Sequence, residues 1–384
     1  MKSNYKRLGD FIVEVDIRNQ QDKNLELWGV SIEKKFIKSV ANIIGTDLSK
    51  YKIISKNCFV CSLMQVSRDE KIPIARWNDK KDVIVSPAYK VFRVMDTSII
   101  MPEFMDLWFK RAEFDREASF YGVGGVRGSL EWEDFCEMRI PVPPIEEQEK
   151  IVDAYQKIET RITLKKKINE VIFDLCQTDY NKLVKDLGDE EQTNGTIGLY
   201  CDIKSGYAFK SQWWTDSGYK VIKIANIVEN SIELDLCDCV SEENATKSKL
   251  FYVQGGDLLI AMTGATTGKI GIVPYCKENL TVNQRVGKFF LGKEPLDRLP
   301  FIVCTLLSQS VQIQLHPDGT AGSAQDNLSA DDIKNIKIIL PKSTEIENFN
   351  VLHKIFFERI IINNAEIRSM KKIGELLLQN IACQ

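Results

Sequence analysis

The chain is written twice. Residues 130–143 and 328–341 share one apolar pattern, from Leu130 and Leu328 to the closing Pro143 and Pro341, at an offset of 198 residues. The same offset pairs Ile72, Pro73, Ile74 and Ala75 with Ile270, Gly271, Ile272 and Val273, and Gly124 with Gly322. An offset one residue longer pairs residues 54–60 with 253–259, and a smaller one pairs Leu8-Gly9 with Ile197-Gly198. Drifting offsets are what loop insertions leave behind in a duplicated unit. A repeat this long calls for two similar globular bodies, and 384 residues are too many for one ordinary core.

Each copy has the same internal order, a β-rich part and then a long helix. In the first copy, residues 58–64, 72–77 and 83–94 carry the β-branched and aromatic content of strands. In the second, residues 220–228, 257–263, 269–275 and 285–291 predict strands, and 299–315 a helix. The mixture argues for α+β. Ile140, Pro141, Val142, Pro143 and Pro144 can continue neither a helix nor a central strand, so an extended connector is expected, with a helix starting near Ile145. Glu146, Glu147 and Glu149 suit its first turn, where the helix dipole is positive.

From there Ile151, Tyr155, Ile158 and Ile162 recur at spacings of four, three and four, the seam of a coiled coil. The pattern shifts at Leu164 and resumes through Ile168, Val171, Leu175 and Leu183. The second copy has the longer seam: Phe349, His353, Phe356, Ile360, Asn363, Ile367, Met370, Gly374, Leu377 and Ile381. Asn363 is either a register-setting polar partner or, with an offset seam, a solvent-facing one. A helix of roughly 40 residues is about 60 Å long, so two of them predict a rod. The run Lys165-Lys166-Lys167 reads as a solvated face.

No stretch approaches the roughly 18 apolar residues that span a bilayer, and residues 1–10 lack the apolar core of a signal peptide, so a cytoplasmic protein without membrane contact is expected. Ten cysteines scattered through apolar runs then read as buried thiols. Cys58 with Cys61, or Cys237 with Cys239, could be half of a zinc site, but only His316 and His353 are available as histidine ligands, and no metal site is expected. The net charge of −3 is unusual for a self-sufficient DNA binder.

Two β-rich units, each followed by a Pro-ended strand and a heptad helix, resemble the specificity subunits of type I restriction-modification systems along the whole chain. The most specific stretch is Gly124 to Gln148, where a Gly-rich loop, Leu130, Phe135, Ile140-Pro141-Val142-Pro143-Pro144 and Glu146-Glu147-Gln148 lead into the helix. The second copy departs from this at Lys342-Ser343 and at Ile346, which stands where Gln148 would be. The resemblance implies two pseudo-repeated mixed α/β target recognition domains separated by two long antiparallel coiled-coil helices. Their expected bounds are residues 1–143 and 188–342 for the domains, and 144–187 and 343–384 for the spacer helices. It also implies that each domain reads half of a bipartite, gapped target in double-stranded DNA, while the helices set the spacing. Two methyltransferase subunits would dock on the helices and restriction/translocase subunits would join them. S-adenosylmethionine, ATP and Mg would then belong to those partners, and this chain would hold no cofactor and perform no catalysis. Partner contacts to phosphates would make the low net charge tolerable.

Side chains able to read bases are Arg and Lys for guanine, Asn and Gln for adenine, and aromatic wedges. In the first domain these are Gln65, Arg68, Lys71, Arg76, Lys90 and Arg127; in the second, Tyr207, Lys210, Gln212, Trp213, Thr266, Thr267, Lys269, Asn283, Gln284 and Arg285. Trp213 and Trp214, by burial habit, are more often core residues than DNA wedges. Gly264-Ala265-Thr266-Thr267-Gly268-Lys269 is one residue short of a phosphate-binding P-loop and is better read as a strand-to-strand loop facing DNA, or as an ordinary turn. Ser86-Pro87-Ala88-Tyr89 is one residue from the motif of amino-methyltransferases, but no cofactor-binding βαβ unit accompanies it. A self-contained adenine methyltransferase, a coiled-coil adaptor, and the recognition subunit of a type IIB-like system are the alternative functions.

Overall fold

The computed structural model describes residues 5–20, 24–39, 45–64, 66–123, 128–186, 193–228, 230–316 and 327–381; Gln65, Gly124, Arg127 and Gly322 fall outside them. The chain divides into two compact units, Met1–Thr160 with Lys371–Gln384, and Arg161–Met370. Each unit joins one β-rich head to a segment of each long helix. No helix among the described residues is long and apolar enough to cross a membrane.

The first head holds two four-stranded sheets. One runs Ile12–Glu14, Lys90–Val94, Phe59–Cys61, Ile74–Arg76, antiparallel throughout. The other runs Phe36–Lys38, Leu27–Val30, Val83–Val85, Lys52–Ile54, with a parallel middle pair. The second head repeats both orders. Its larger sheet runs Asp202–Ser205, Val286–Phe290, Leu258–Ala261, Ile270–Ile272, then adds Asn230–Ile232 and Ile227–Val228. Its other sheet adds Trp214–Thr215 ahead of Asp238–Val240, Tyr219–Ile222, Leu280–Val282 and Tyr252–Val253, again with a parallel pair in the same place. The duplication is therefore one of strand topology, with the added strands at sheet edges.

Equivalent bonds tie the ends of each copy together. Leu8 N donates to Met138 O at 2.8 Å and Ile197 N to Ile336 O at 3.1 Å. Gly9 packs on Cys136 and Gly198 on Lys334, close enough that a Cβ would lie 3.0 and 3.1 Å from the neighbouring Cβ. One pairing differs from the sequence alignment. With residues 54–60 laid on 253–259, Phe59 faces Arg76 and Leu258 faces Ile272, so Ile74, not Ile72, corresponds to Ile270. A slip of two residues keeps every side chain on its face, which is why the apolar pattern hides it.

Several elements are shorter than the apolar runs that predict them. Residues 83–94 form two strands, because Pro87 sits in a turn closed by Tyr89 N donating to Ser86 O. Residues 220–228 break at a turn in which the Asn226 side chain accepts from Lys223 N at 2.8 Å. The predicted helix 299–315 is two helices, Leu299–Leu307 and Gln309–Leu315, with Ser308 extended between them. Pro102–Phe109 and Ala112–Gly122 are their first-head counterparts. The connector before the first long helix forms the strand Arg139–Pro141, paired with Tyr5–Arg7; in the second copy Lys337–Leu340 pairs with Thr193–Thr196.

The long helices are Ile145–Asp186 and Ser343–Asn380. In each unit their segments run antiparallel: Ile151 and Val152 share a core with Leu378 and Ile381, while Tyr180 meets Phe349 further along. The seam of the first helix does not shift at Leu164. It continues through Lys165, Asn169, Ile172, Cys176 and Tyr180, whereas Leu164 and Val171 are 54% and 66% exposed. Polar partners decide this. Asn363 Nδ2 donates to Asn169 Oδ1 at 2.8 Å, Asn169 Nδ2 donates to Asn364 Oδ1 at 2.9 Å, and Lys165 pairs with Glu366. A buried amide layer with its hydrogen bonds made can occupy a seam that apolar residues could also fill.

Each long helix is pinned to its own head by a buried amide. Gln148 Oε1 accepts from Met101 N at 2.9 Å, and its Nε2 donates to Ile99 O and Pro143 O at 2.9 and 2.8 Å. In the second unit the residue aligned with Gln148 is Ile346, and the task passes one turn along to Asn350. Its Oδ1 accepts from Phe301 N at 2.9 Å and its Nδ2 donates to the Tyr200 hydroxyl. Both amides accept from an N–H at the start of a head helix that carries Pro in its first turn, Met101 N ahead of Pro102 and Phe301 N after Pro300.

Candidate nucleic-acid interface

The strand order sends three segments of the second head from the same sheet end. Ser205 pairs with Gly287 and Ala261 with Val286, so residues 206–213, 262–269 and 283–285 leave the sheet together. Met262 N donates to Arg285 O at 3.0 Å and Gly206 N to Val286 O at 3.0 Å. Tyr207 N donates to Val282 O at 2.9 Å, and Tyr207 forms a parallel bridge with Asn283. A Cβ on Gly206 would collide with the carbonyl oxygens of Val282 and Asn283, so glycine is what permits this approach. Between the strands, the Asn283 side chain accepts from Arg285 N at 3.3 Å, and Gln284 and Arg285 point into solvent.

An aromatic shelf flanks that turn. Tyr207 and Trp213 are near-parallel with centroids 6.3 Å apart, and Phe209 sits 5.1 Å from Tyr207. Trp213 and Trp214 are half-buried: one face of each supports the small core around Phe209, Val221 and Val240. Lys210 and Lys247 place their ammonium groups 5.5 and 4.3 Å from the Trp213 ring centre, and Lys223 lies 3.9 Å from that of Trp214 while paired with Asp238. Gln212 is exposed at the rim. Lys247 is absent from the sequence-based set because no local pattern marks it; only the chain fold brings it to Trp213.

The P-loop look-alike is a closed hairpin connection. Thr267 N and its hydroxyl both donate to Gly264 O, Gly268 N donates to Ala261 O, and Lys269 N donates to Thr266 O. These donors are spent inside the loop, and a strand follows where a nucleotide site needs a helix. Thr267 is 3% exposed and leaves the set of surface contacts; Thr266 is half-buried with its hydroxyl enclosed and unpartnered, and Lys269 is exposed.

The first head presents the matching end. Cys61 closes its strand opposite Lys90, so residues 62–73 and 86–90 emerge beside each other. Arg68 and Lys71 are exposed there, Arg68 with its Nε donating to Asp69 at 2.8 Å. Lys90 donates to Glu14 at 2.9 Å and covers the Trp132 ring. Arg76 does not belong to this surface: its side chain is 7% exposed and donates to Asn57 and Glu103, each at 2.7 Å. The strand phase decides it, because Arg76 lies opposite Phe59, at the other end of the strand pair from Cys61. Tyr89 of the methyltransferase look-alike is structural, with its hydroxyl accepting from Val30 N and its ring against the core of Val30, Val60, Val85 and Val91 between the two sheets.

Among the described residues no three His, Cys, Asp or Glu side chains gather as metal ligands. Burial pushes the Cys61 thiol well up, and that of Cys237 up to about 12, which keeps both protonated.

The family model described as type I restriction modification DNA specificity domain matches residues 42–173 and again residues 190–372. The specificity subunit of the type I restriction enzyme MjaVIII of Methanocaldococcus jannaschii is 26% identical over 265 residues, 64% of this chain and 62% of that protein. The MjaIX specificity subunit of the same organism is 21% identical over 303 residues, 73% of this chain and 68% of that protein. The chain thus spans under two thirds of the length of the first relative and just over two thirds of the second. The crystal structure of the type I restriction-modification system S subunit from M. genitalium shares the fold, with a TM-score of 0.56 over 98% of this chain and 95% of that one, at 14% identity.

Proposed function

The chain belongs to the type I restriction modification DNA specificity family, and on that premise we propose that it sets the DNA sequence on which a methyltransferase and nuclease complex acts. Each head reads one half of a bipartite, gapped site in double-stranded DNA. The single observation that carries this is the equivalence of the two loop ends: the same strand order delivers exposed basic side chains to the same end of each head, joined in the second by the amides of Gln212 and Gln284. Two similar readers suit two half-sites on one duplex. We assign residues 1–143 and 188–342 to the reading domains and 144–187 and 343–384 to the spacer helices, on which two methyltransferase subunits dock before restriction/translocase subunits join.

In this reading Arg68, Lys71 and Lys90 serve the first half-site, with Gln65 and Arg127. Tyr207, Gln212, Trp213, Lys269, Asn283, Gln284 and Arg285 serve the second. Asn283 and Gln284 supply the amide geometry suited to adenine, and Arg285 that suited to guanine. The chain performs no chemistry: S-adenosylmethionine, ATP and Mg belong to the partner subunits, and the complex works on cellular DNA in the cytoplasm. Sequencing of methylated bases in cells with and without the gene tests this. A gapped methylated motif disappears with the gene; persistence of every motif rejects the reading, and micromolar binding of S-adenosylmethionine to the purified chain rejects its non-catalytic part.

A further inference from the structure

We propose that the second head carries a phosphate-holding patch, Lys210 and Lys247 mounted on Trp213, which grips the DNA backbone beside the base-reading turn 283–285. The inference rests on the DNA-reading function proposed above and divides its labour. Trp213 is held by near-parallel contact with Tyr207, whose backbone bridges Asn283, so the patch is coupled to the turn through one aromatic pair. Both lysines are exposed and lie over the indole ring. Neither makes an ion pair with a described residue: Lys247 donates to the neutral Asn244 Oδ1 at 2.8 Å.

The ring and that amide restrict the ammonium positions without neutralising them, which leaves two oriented point charges for a phosphodiester. A lysine is a compact charge that suits phosphate, whereas the amide and guanidinium groups of residues 283–285 suit base edges. The first head's lysine–tryptophan contacts differ in one respect. Lys38 over Trp28 pairs with Glu26 at 2.9 Å, and Lys90 over Trp132 pairs with Glu14 at 2.9 Å. An uncompensated lysine over an indole ring is therefore, among the described residues, particular to the second head, and in a chain of net charge −3 such exposed charges are what the backbone of DNA would meet.

The test uses the complex purified from cells that express the full chain with its own partner subunits, and a duplex carrying the motif that the wild type methylates. Affinity is measured over a series of salt concentrations. For the double variant Lys210→Ala, Lys247→Ala, the slope of log affinity against log salt becomes shallower by about 1.8, at about 0.9 for each phosphate no longer neutralised. The methylated motif keeps the same bases while its occupancy falls. The double Lys→Arg variant restores the slope, and Lys38→Ala leaves it at the wild-type value. Thermal melting confirms that these surface changes leave the fold intact. An unchanged slope in the double alanine variant overturns the patch while the DNA-reading function stands, as does a change in the bases of the motif, which would make the lysines base readers. A wild-type complex that methylates no gapped motif overturns both.

Discussion

Gly206 shows how one missing Cβ shapes the loop end of a sheet. The carbonyl oxygens of Val282 and Asn283 occupy the space a side chain would need, and backbone atoms in a sheet cannot step aside as a flexible side chain can. Gly206→Ala is expected to push residues 206–213 off the turn, at about 1–3 kcal/mol of stability. Urea unfolding of the purified chain measures that cost, and methylation of the target falls sharply in the same variant. A second residue with a defined signature is Glu278. Arg368 donates to it and to Asp235, with Nε and Nη2 at 2.9 and 2.6 Å from the Asp235 oxygens, which ties the second long helix to the head within its unit. The Arg368 hydrogen bond holds the Glu278 carboxyl down to about 2, below its ordinary value of 4.5. The sign follows: a group with a depressed folded value contributes stability above its unfolded value and loses it as pH falls through the folded one. The stability difference between wild type and Glu278→Gln should be full at pH 6, shrink below about 4.5 and vanish near 2. A difference that stayed constant across this range would show that the ion pair contributes nothing.

The long helices carry their instruction in a polar layer. Asn363 is completely buried: its Nδ2 donates to Asn169 Oδ1 across the pair and its Oδ1 accepts from Lys165 at 3.3 Å, while Asn169 donates onward to Asn364. Asn363→Leu alone strands the buried Asn169 Oδ1 and should cost about 1–3 kcal/mol, whereas Asn169→Leu with Asn363→Leu removes both buried amides, leaves Lys165 to Glu366 and the half-buried Asn364 to water, and should cost less than the single change. A double-mutant cycle by chemical denaturation reads the difference. Much of this element was legible in the sequence: the ten-residue seam of the second helix recurs on buried or half-buried positions, with Asn363 among them. The first helix was harder, because Leu164, Ile168, Val171 and Leu175 form an equally regular apolar stripe, and only cross-helix partners for Lys165 and Asn169 show which stripe is inside. The same limit applies to the strands. Apolar runs gave their places, but the breaks at Pro87, Asn226 and Ser308, and the two-residue slip between Ile72 and Ile74, depend on turn chemistry and pairing that periodicity does not encode. At the loop ends, exposed Arg68, Lys71, Gln284 and Arg285 follow from residue type. Arg76 and Thr267 do not, since their burial is set by strand phase and loop closure.

Across the whole chain, the two heads have separate cores, with Phe59, Phe92, Phe109 and Phe135 in one and Leu258, Ile260, Phe289 and Phe301 in the other. Independence of the heads makes a specific forecast about the target. Replacing Asn283, Gln284 and Arg285 by alanine should relax base preference in one half of the gapped motif and leave the other half and the gap length as they were; each bidentate pairing with a base is worth about 1–3 kcal/mol of discrimination. Arg68→Ala with Lys71→Ala should weaken only the opposite half. Methylome sequencing of the two variants reads both halves at once. Loss of preference in both halves from either variant would mean that the heads bind DNA as one cooperative surface, and the duplicated topology would then reflect ancestry alone rather than a division of the target.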